Sequence, residues 1–195
     1  MADLQHKFVN TNGIRMHYVE QGSGPLVVLC HGWPESWYSW RHQIPALAAA
    51  GFRVVAPDQR GCGHSDWDPQ TRYGAEQSCS DVLALAGDQQ LAGFVLVGHS
   101  LGAVTACLLA ARNPDLVRAL VLIDGGPRDD IPNPSGVFQA IPAEFSSRDE
   151  AQAFLASSPL SGRGRVDWLY EPRFRELDDG RVVWRTDMAG IGRWC

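Results

Sequence analysis

No apolar stretch in this 195-residue chain is longer than a β-strand needs, so there is no candidate for a membrane-spanning helix. Lys and Arg form no run and the net charge of −5 is modest, so neither nucleic acid nor an anionic membrane surface is an expected partner. A small-molecule substrate is. Residues Met1–Lys7 carry no apolar core or small-residue cleavage site, and a cytoplasmic location is expected on that ground. The cysteines Cys30, Cys62, Cys79, Cys107 and Cys195 are odd in number and lack the paired spacing of a zinc site or a dithiol centre. They read as reduced thiols, Cys30 and Cys107 as small core residues, and no metal or cofactor is expected. Internal repeats and low-complexity tracts are also absent.

What is there is the composition of a globular domain, 45% hydrophobic and 20% charged. Asn12-Gly13 is a hairpin turn signal, followed by Ile14, Met16 and Tyr18 on one strand face, which predicts an antiparallel pair. Gly22-Ser23-Gly24-Pro25 then breaks the chain before Leu26–Cys30, a continuous apolar run suited to a central parallel strand. Trp40, Ile44 and Leu47 predict one helix from Trp37 to Ala50, closed by Gly51. Next come a strand at Arg53–Ala56, a helix near Ala75–Ala86 burying Val82, Leu83, Leu85 and Ala86, and a strand at Phe94–Val97. A small-residue helix over Leu101–Arg112 stops at Asn113-Pro114, and Val117–Ile123 is strand again. This alternation predicts an α/β fold: a mostly parallel sheet with helices on both faces.

From Pro127 the pattern changes to proline, glycine, serine and arginine, with short amphipathic pieces and no buried-strand signal. Ser147-Arg148-Asp149-Glu150 matches a capping box that starts a helix through Leu155, and Asp179-Gly180 suits a turn into Arg181–Trp184. The expected organisation is a core at 1–126, a largely helical cap segment at 127–186, and a return toward the core at 187–195.

Gly98-His99-Ser100-Leu101-Gly102 lies between a predicted strand and a predicted helix, the setting of a nucleophile elbow. A turn that sharp exposes the Ser100 hydroxyl above the sheet and requires small flanking residues, which the two glycines supply. His31-Gly32-Trp33-Pro34 directly follows the buried strand. Attack on an ester carbonyl needs two donors for the oxyanion, and the backbone N–H groups of Trp33 and Leu101 are the candidates, Pro34 having none. Trp33 and Trp37 are candidate pocket-lining residues. His31 reads as a loop-bracing histidine bonded to backbone.

The segments His31-Gly32-Trp33-Pro34-Glu35-Ser36-Trp37-Tyr38-Ser39-Trp40-Arg41 and Pro57-Asp58-Gln59-Arg60-Gly61-Cys62-Gly63-His64-Ser65 resemble the α/β-hydrolase family, particularly its epoxide-hydrolase branch. The resemblance covers about residues 5 to 125 and implies that Asp58, Arg60 and His64 organise a loop. It also implies an Asp where this chain has Ser100; Gly-His-Ser-Leu-Gly resembles esterases and lipases instead. Carboxylate opening of an epoxide leaves an ester that water can cleave, whereas serine opening would leave an ether with no carbonyl to attack. The branch also uses a pair of cap tyrosines to protonate the epoxide, and Tyr170 is the only tyrosine after Tyr73.

In this fold the order is nucleophile, acid, histidine. All six histidines, His6, His17, His31, His42, His64 and His99, precede Ser100. His99 adjoins Ser100, but neighbours on a tight turn point apart. Asp124, at the end of the strand Val117–Ile123, is the candidate acid. The expectation is an esterase-like serine hydrolase acting through Ser100 on a small acyl substrate, with the C-terminal strands missing and Val117–Ile123 left as an edge for self-association. The competing readings are a ligand-binding module of the same fold without turnover, an epoxide-hydrolase relative and a perhydrolase-like variant.

Overall fold

A computed structural model describes residues 3–88, 93–126, 141–158 and 172–192. Strands β1 (Gln5–Thr11) and β2 (Ile14–Gln21) form the expected hairpin, with Thr11 paired to Ile14. Asn12 and Gly13 take φ of 43° and 84°, the two left-handed residues that a two-residue turn with the twist of its strands requires. β3 (Leu26–Cys30), β4 (Arg53–Pro57), β5 (Phe94–His99) and β6 (Val117–Ile123) complete a six-stranded sheet in the order β1-β2-β4-β3-β5-β6. The four strands from β4 to β6 are parallel, and β2 joins β4 antiparallel.

Alternation along the strands sorts the core into two layers. Val28, Cys30, Phe94 and Leu96 face helices α2 (Ala75–Asp88) and α3 (Leu101–Arg112), meeting Cys79, Val82, Ala86, Ala106 and Leu109. Val27 and Leu29 point the other way and pack with Val19, Val54 and Ala56 under Trp40 and Ile44. Helices therefore cover both faces, as the alternation predicts.

The helix expected over Trp37–Ala50 is two pieces, a 3-10 turn at Trp37–Trp40 and α1 at Gln43–Ala49. Pro45 explains the break: it has no N–H for the Arg41 carbonyl, and its ring would clash there, so it is tolerated only in the first turn of a new helix. α1 ends as expected on Gly51. Gly51 N–H donates to Ala48 O and Phe52 N–H to Leu47 O, the paired bonds of a Schellman closure.

Beyond residue 140 the described residues contain the expected helix together with short strands that the sequence did not signal. β7 (Glu144–Phe145), β9 (Val182–Trp184) and β8 (Phe174–Glu176) form an antiparallel sheet in the order β7-β9-β8, beside helix α4 (Arg148–Ser157). Phe145, Ala151, Leu155, Phe174, Val182 and Trp184 give it a core of its own, with the Phe174 and Trp184 rings 4.4 Å apart. Ser147 caps α4 as expected, accepting from Glu150 N–H. The Glu150 carboxylate reaches back one residue further than a standard capping box, accepting from Ser146 N–H at 2.6 Å.

Candidate active site

Ser100 stands where β5 becomes α3, with φ 50° and ψ −117°. This is a conformation that costs a non-glycine residue about 1–3 kcal/mol and has to be imposed by its surroundings. The imposing contacts are visible in the glycines. A Cβ on Gly98 would strike the Gly102 carbonyl and Ala103 backbone, and one on Gly102 would strike the Cys30 and His31 carbonyls. A Cβ on Gly32 would lie 3.0 Å from Ser100 Cβ, and one on Gly125 2.7 Å from the Ser100 carbonyl oxygen. Backbone from the loops after β3, β5 and β6 thus converges on one serine, which is half-buried and anchored by its N–H to Ile123 O at 2.9 Å.

The two candidate oxyanion donors come from this junction. Leu101 opens α3, so its N–H has no acceptor within the helix and sits at the positive end of the helix dipole. Trp33 follows Gly32 in the loop pressed on Ser100, and the Trp33 and Leu101 side chains pack together on Cys62, Tyr73 and Ile191.

His31 braces this loop as expected. Gln59 N–H donates to His31 Nε2 at 2.9 Å, so Nδ1 carries the ring proton and gives it to Gly32 O at 2.7 Å. Gln59 in turn donates to His31 O at 2.5 Å.

His99 has a partner that sequence reasoning did not identify. Its Nδ1 lies 3.1 Å from Glu35 Oε2, which also accepts from Gly32 N–H at 3.2 Å. The hydrogen bond to Glu35 raises the His99 imidazole against its partial burial. Burial pushes the Glu35 carboxyl up, but the bond to His99 and its charge dominate and hold it at about 2. The imidazole is thereby committed to Glu35. None of the six histidines hydrogen-bonds the Ser100 hydroxyl.

Asp124 follows β6 on the strand next to the elbow, exposed and with φ 49°, and its charge contributes to raising His99. Trp37 is placed elsewhere: its indole meets His6 and Tyr38, and its backbone N–H donates to Asp58 Oδ1 at 2.7 Å. Tyr170 lies outside the described residues.

The 57–73 loop is organised by buried charge. Asp58, fully buried, accepts from His17 Nδ1 at 2.8 Å and from His64 N–H at 2.9 Å as well as from Trp37. Burial would raise its carboxyl, but the His17 and His64 side chains beside it, with the charges of His31 and His17, keep it well below the carboxylate range. Arg60, also buried, forks onto Asp81 at 2.6 and 2.7 Å and reaches Asp68 at 2.6 Å. Tyr73 links the loop to the end of the chain, donating to Asp187 Oδ2 at 2.6 Å. Asp187 caps the short helix α5 (Met188–Ile191), and its N–H donates to Gly61 O at 2.7 Å.

A family model described as alpha/beta hydrolase fold matches residues 25–184. The chain belongs to the α/β-hydrolase family. This α/β hydrolase is 40% identical to rat (Rattus norvegicus) bifunctional epoxide hydrolase 2 over 97% of its own length and 35% of the relative's. It is 46% identical to epoxide hydrolase B of Mycobacterium tuberculosis, over 95% of this chain and 51% of that one. A crystal structure of an epoxide hydrolase from Vigna radiata superposes with a TM-score of 0.68 at 30% identity, covering 83% of this chain and 58% of that one. The α/β hydrolase thus spans about a third to a half of the length of these curated relatives. No helix among the described residues is long and apolar enough to cross a membrane.

Proposed function

We propose that this α/β hydrolase uses Ser100 as the nucleophile of acyl transfer on a small carboxylic ester or similar acyl substrate. The observation that carries the reading is the strained serine at the head of α3, held there by glycine-mediated backbone contacts from three loops. In the reaction, Ser100 Oγ attacks the carbonyl carbon and passes its proton to a base. The carbonyl oxygen takes up the negative charge before the Leu101 and Trp33 N–H groups, and the alcohol departs with a proton. Water then repeats the sequence on the acyl-serine. Asp124 is the candidate acid that would orient an imidazole, and Trp33 and Tyr170 are candidate substrate contacts.

The relatives named as epoxide hydrolases argue for the fold and for a hydrolytic pocket, and the serine argues against their substrate. An alkyl ether on Ser100 would be a dead end, while an acyl ester is one that water can cleave. A binding module without turnover is the second reading. It is favoured by one observation, that the nearest imidazole in sequence, His99, is paired with Glu35 and not with Ser100.

Chemical rescue separates the two. With p-nitrophenyl acetate the chain alone should show only weak turnover, because without a triad base the oxyanion hole and binding supply about 10³–10⁴-fold over water. Free imidazole in the buffer should substitute for the missing base. The expected result is an acetyl group on Ser100 in the peptide mass map and nitrophenol release above the Ser100→Ala background, both rising with imidazole. A map that never places acetyl on Ser100 would remove the nucleophile assignment and leave the binding module.

A further inference from the structure

Away from Ser100, three side chains with metal-binding atoms meet at the end of β4. His17 comes from β2, Asp58 directly follows β4, and His64 belongs to the loop beyond it. Asp58 Oδ2 is 2.8 Å from His17 Nδ1 and 3.7 Å from His64 Nδ1, and all three donor atoms lie within 4.8 Å of one another. Ligands about 2.0–2.1 Å from a tetrahedral metal are about 3.3 Å apart, a value that the two shorter separations bracket. We propose that His17, Asp58 and His64 form a site for a divalent transition cation of borderline softness, such as Zn²⁺ or Co²⁺.

The surroundings suit that role. The carboxylate is aimed by the N–H groups of Trp37 and His64, and the Gly63 backbone passes so close that any side chain there would collide with it. The His17 ring is fixed between neighbours, stacked on His6 at 5.2 Å and tilted against Phe8 at 5.1 Å. Its other nitrogen, Nε2, is 3.0 Å from His6 Nδ1. Metal-bound histidines almost always donate their second N–H to an acceptor, which fixes the tautomer. Here the cation would take the place of the proton on His17 Nδ1, and the ring would hold its single proton on Nε2, where it is donated to His6 Nδ1, a change of tautomer with no net proton released. His64, with 45% of its side chain exposed, closes the site on the solvent side and leaves room for water as the remaining ligand.

Two imidazoles and one carboxylate select against Mg²⁺, which prefers oxygen donors and gives up its waters reluctantly. Such a cation would clip the β1–β2 hairpin to the loop after β4. The site shares no residue with the elbow, so it neither needs nor supports the acyl-transfer reading.

The test is a cobalt titration of the untagged 195-residue chain, followed by visible absorbance. One equivalent should bind, with d–d bands and without the near-ultraviolet charge transfer of a thiolate ligand. His64→Ala, at a half-exposed position that leaves the His17–Asp58 pair intact, should keep its metal-free melting temperature and bind at least tenfold more weakly. Zn²⁺ should raise the melting temperature of the parent and not of His64→Ala, and Mg²⁺ should raise neither. Absence of binding, a thiolate band, or equal affinity in His64→Ala would each overturn the proposal.

Discussion

Arg60→Met tests whether buried charge holds the 57–73 loop. Arg60 is 2% exposed and makes three charge-assisted bonds of 2.6–2.7 Å to Asp81 and Asp68, with a longer one to Arg72 O at 3.3 Å. Met keeps an apolar stem along the path of the Arg60 side chain, lacks the guanidinium, and leaves two buried carboxylates behind. Asp68 keeps Arg72 at 2.9 Å, whereas Asp81 keeps only Asn12 Nδ2, also at 2.9 Å. Breaking a buried ion pair from one side costs about 3–5 kcal/mol, a large part of the about 5–15 kcal/mol that holds a typical domain together. The penalty should depend on pH with a definite sign. Burial already holds the Asp81 carboxyl above its ordinary value despite Arg60, and without Arg60 it rises further. A carboxyl whose folded value is raised contributes stability below its unfolded value and loses it as pH rises, so the penalty should be largest at neutral pH and shrink toward pH 4. Urea denaturation of parent and variant at several pH values measures this. Arg60→Met combined with Asp81→Leu should recover part of the loss. A penalty under about 1 kcal/mol, or one that is flat with pH, would mean that the network is only space-filling.

Glu35→Gln should return the His99 imidazole toward its ordinary value, because the hydrogen bond to Glu35 is the leading cause of its rise; an NMR titration of the His99 ring that does not move would refute the pairing. Raised His99 stabilises below its ordinary value of 6.5 and loses that contribution as pH rises, while lowered Glu35 stabilises above 4.5 and loses it as pH falls toward about 2, so the variant's deficit should be greatest between pH 4.5 and 6.5. Leu120, Val121, Leu122 and Ile123 are all more than a third exposed on the edge strand β6, so the isolated chain should self-associate with concentration in sedimentation. Val121→Lys should reduce that association, and a parent chain that remains monomeric would exclude β6 as an interface.

Local chemistry was the legible part of the sequence. Asn12-Gly13, Gly51 and Ser147 each announce a backbone geometry within a few residues, and the structure shows all three. The elbow was legible because glycines are needed where backbone meets backbone, and Gly98 and Gly102 flank the serine directly. The partners across the fold were not. Glu35 and His99 are 64 residues apart, and Tyr73 and Asp187 are 114 apart. No local periodicity marks such pairs. The strands β7 and β8 carry no sequence signal, because two or three residues cannot display an alternation. Pro45 was a legible signal that the Trp40, Ile44 and Leu47 spacing outweighed. His64 shows the limit most clearly: in sequence it is one polar residue of a glycine-rich loop, and only the fold brings it to Asp58 and His17.

Ser100 and Asp124 lie at the same end of this sheet, the end at which the proposed acyl substrate would bind. Both are non-glycine residues at positive φ, both directly follow neighbouring parallel strands, and Ser100 N–H ties the first strand end to Ile123 O of the second. Strain of this kind persists only where the surrounding structure over-determines it, and in open α/β sheets ligands are met beyond the carboxyl ends of the strands. The His31–Glu35 loop follows β3 at that same end and closes on Ser100 through Gly32. Three consecutive parallel strands therefore bring the candidate oxyanion donor Trp33, the proposed nucleophile Ser100 and the Asp124 carboxylate to one rim. An imidazole joining Ser100 to Asp124 would have to approach that rim from outside the His99–Glu35 pair, since those two already satisfy each other. Exogenous imidazole can take this approach. Rescue by it should therefore survive Glu35→Gln and weaken in Asp124→Asn if the carboxylate orients the incoming ring.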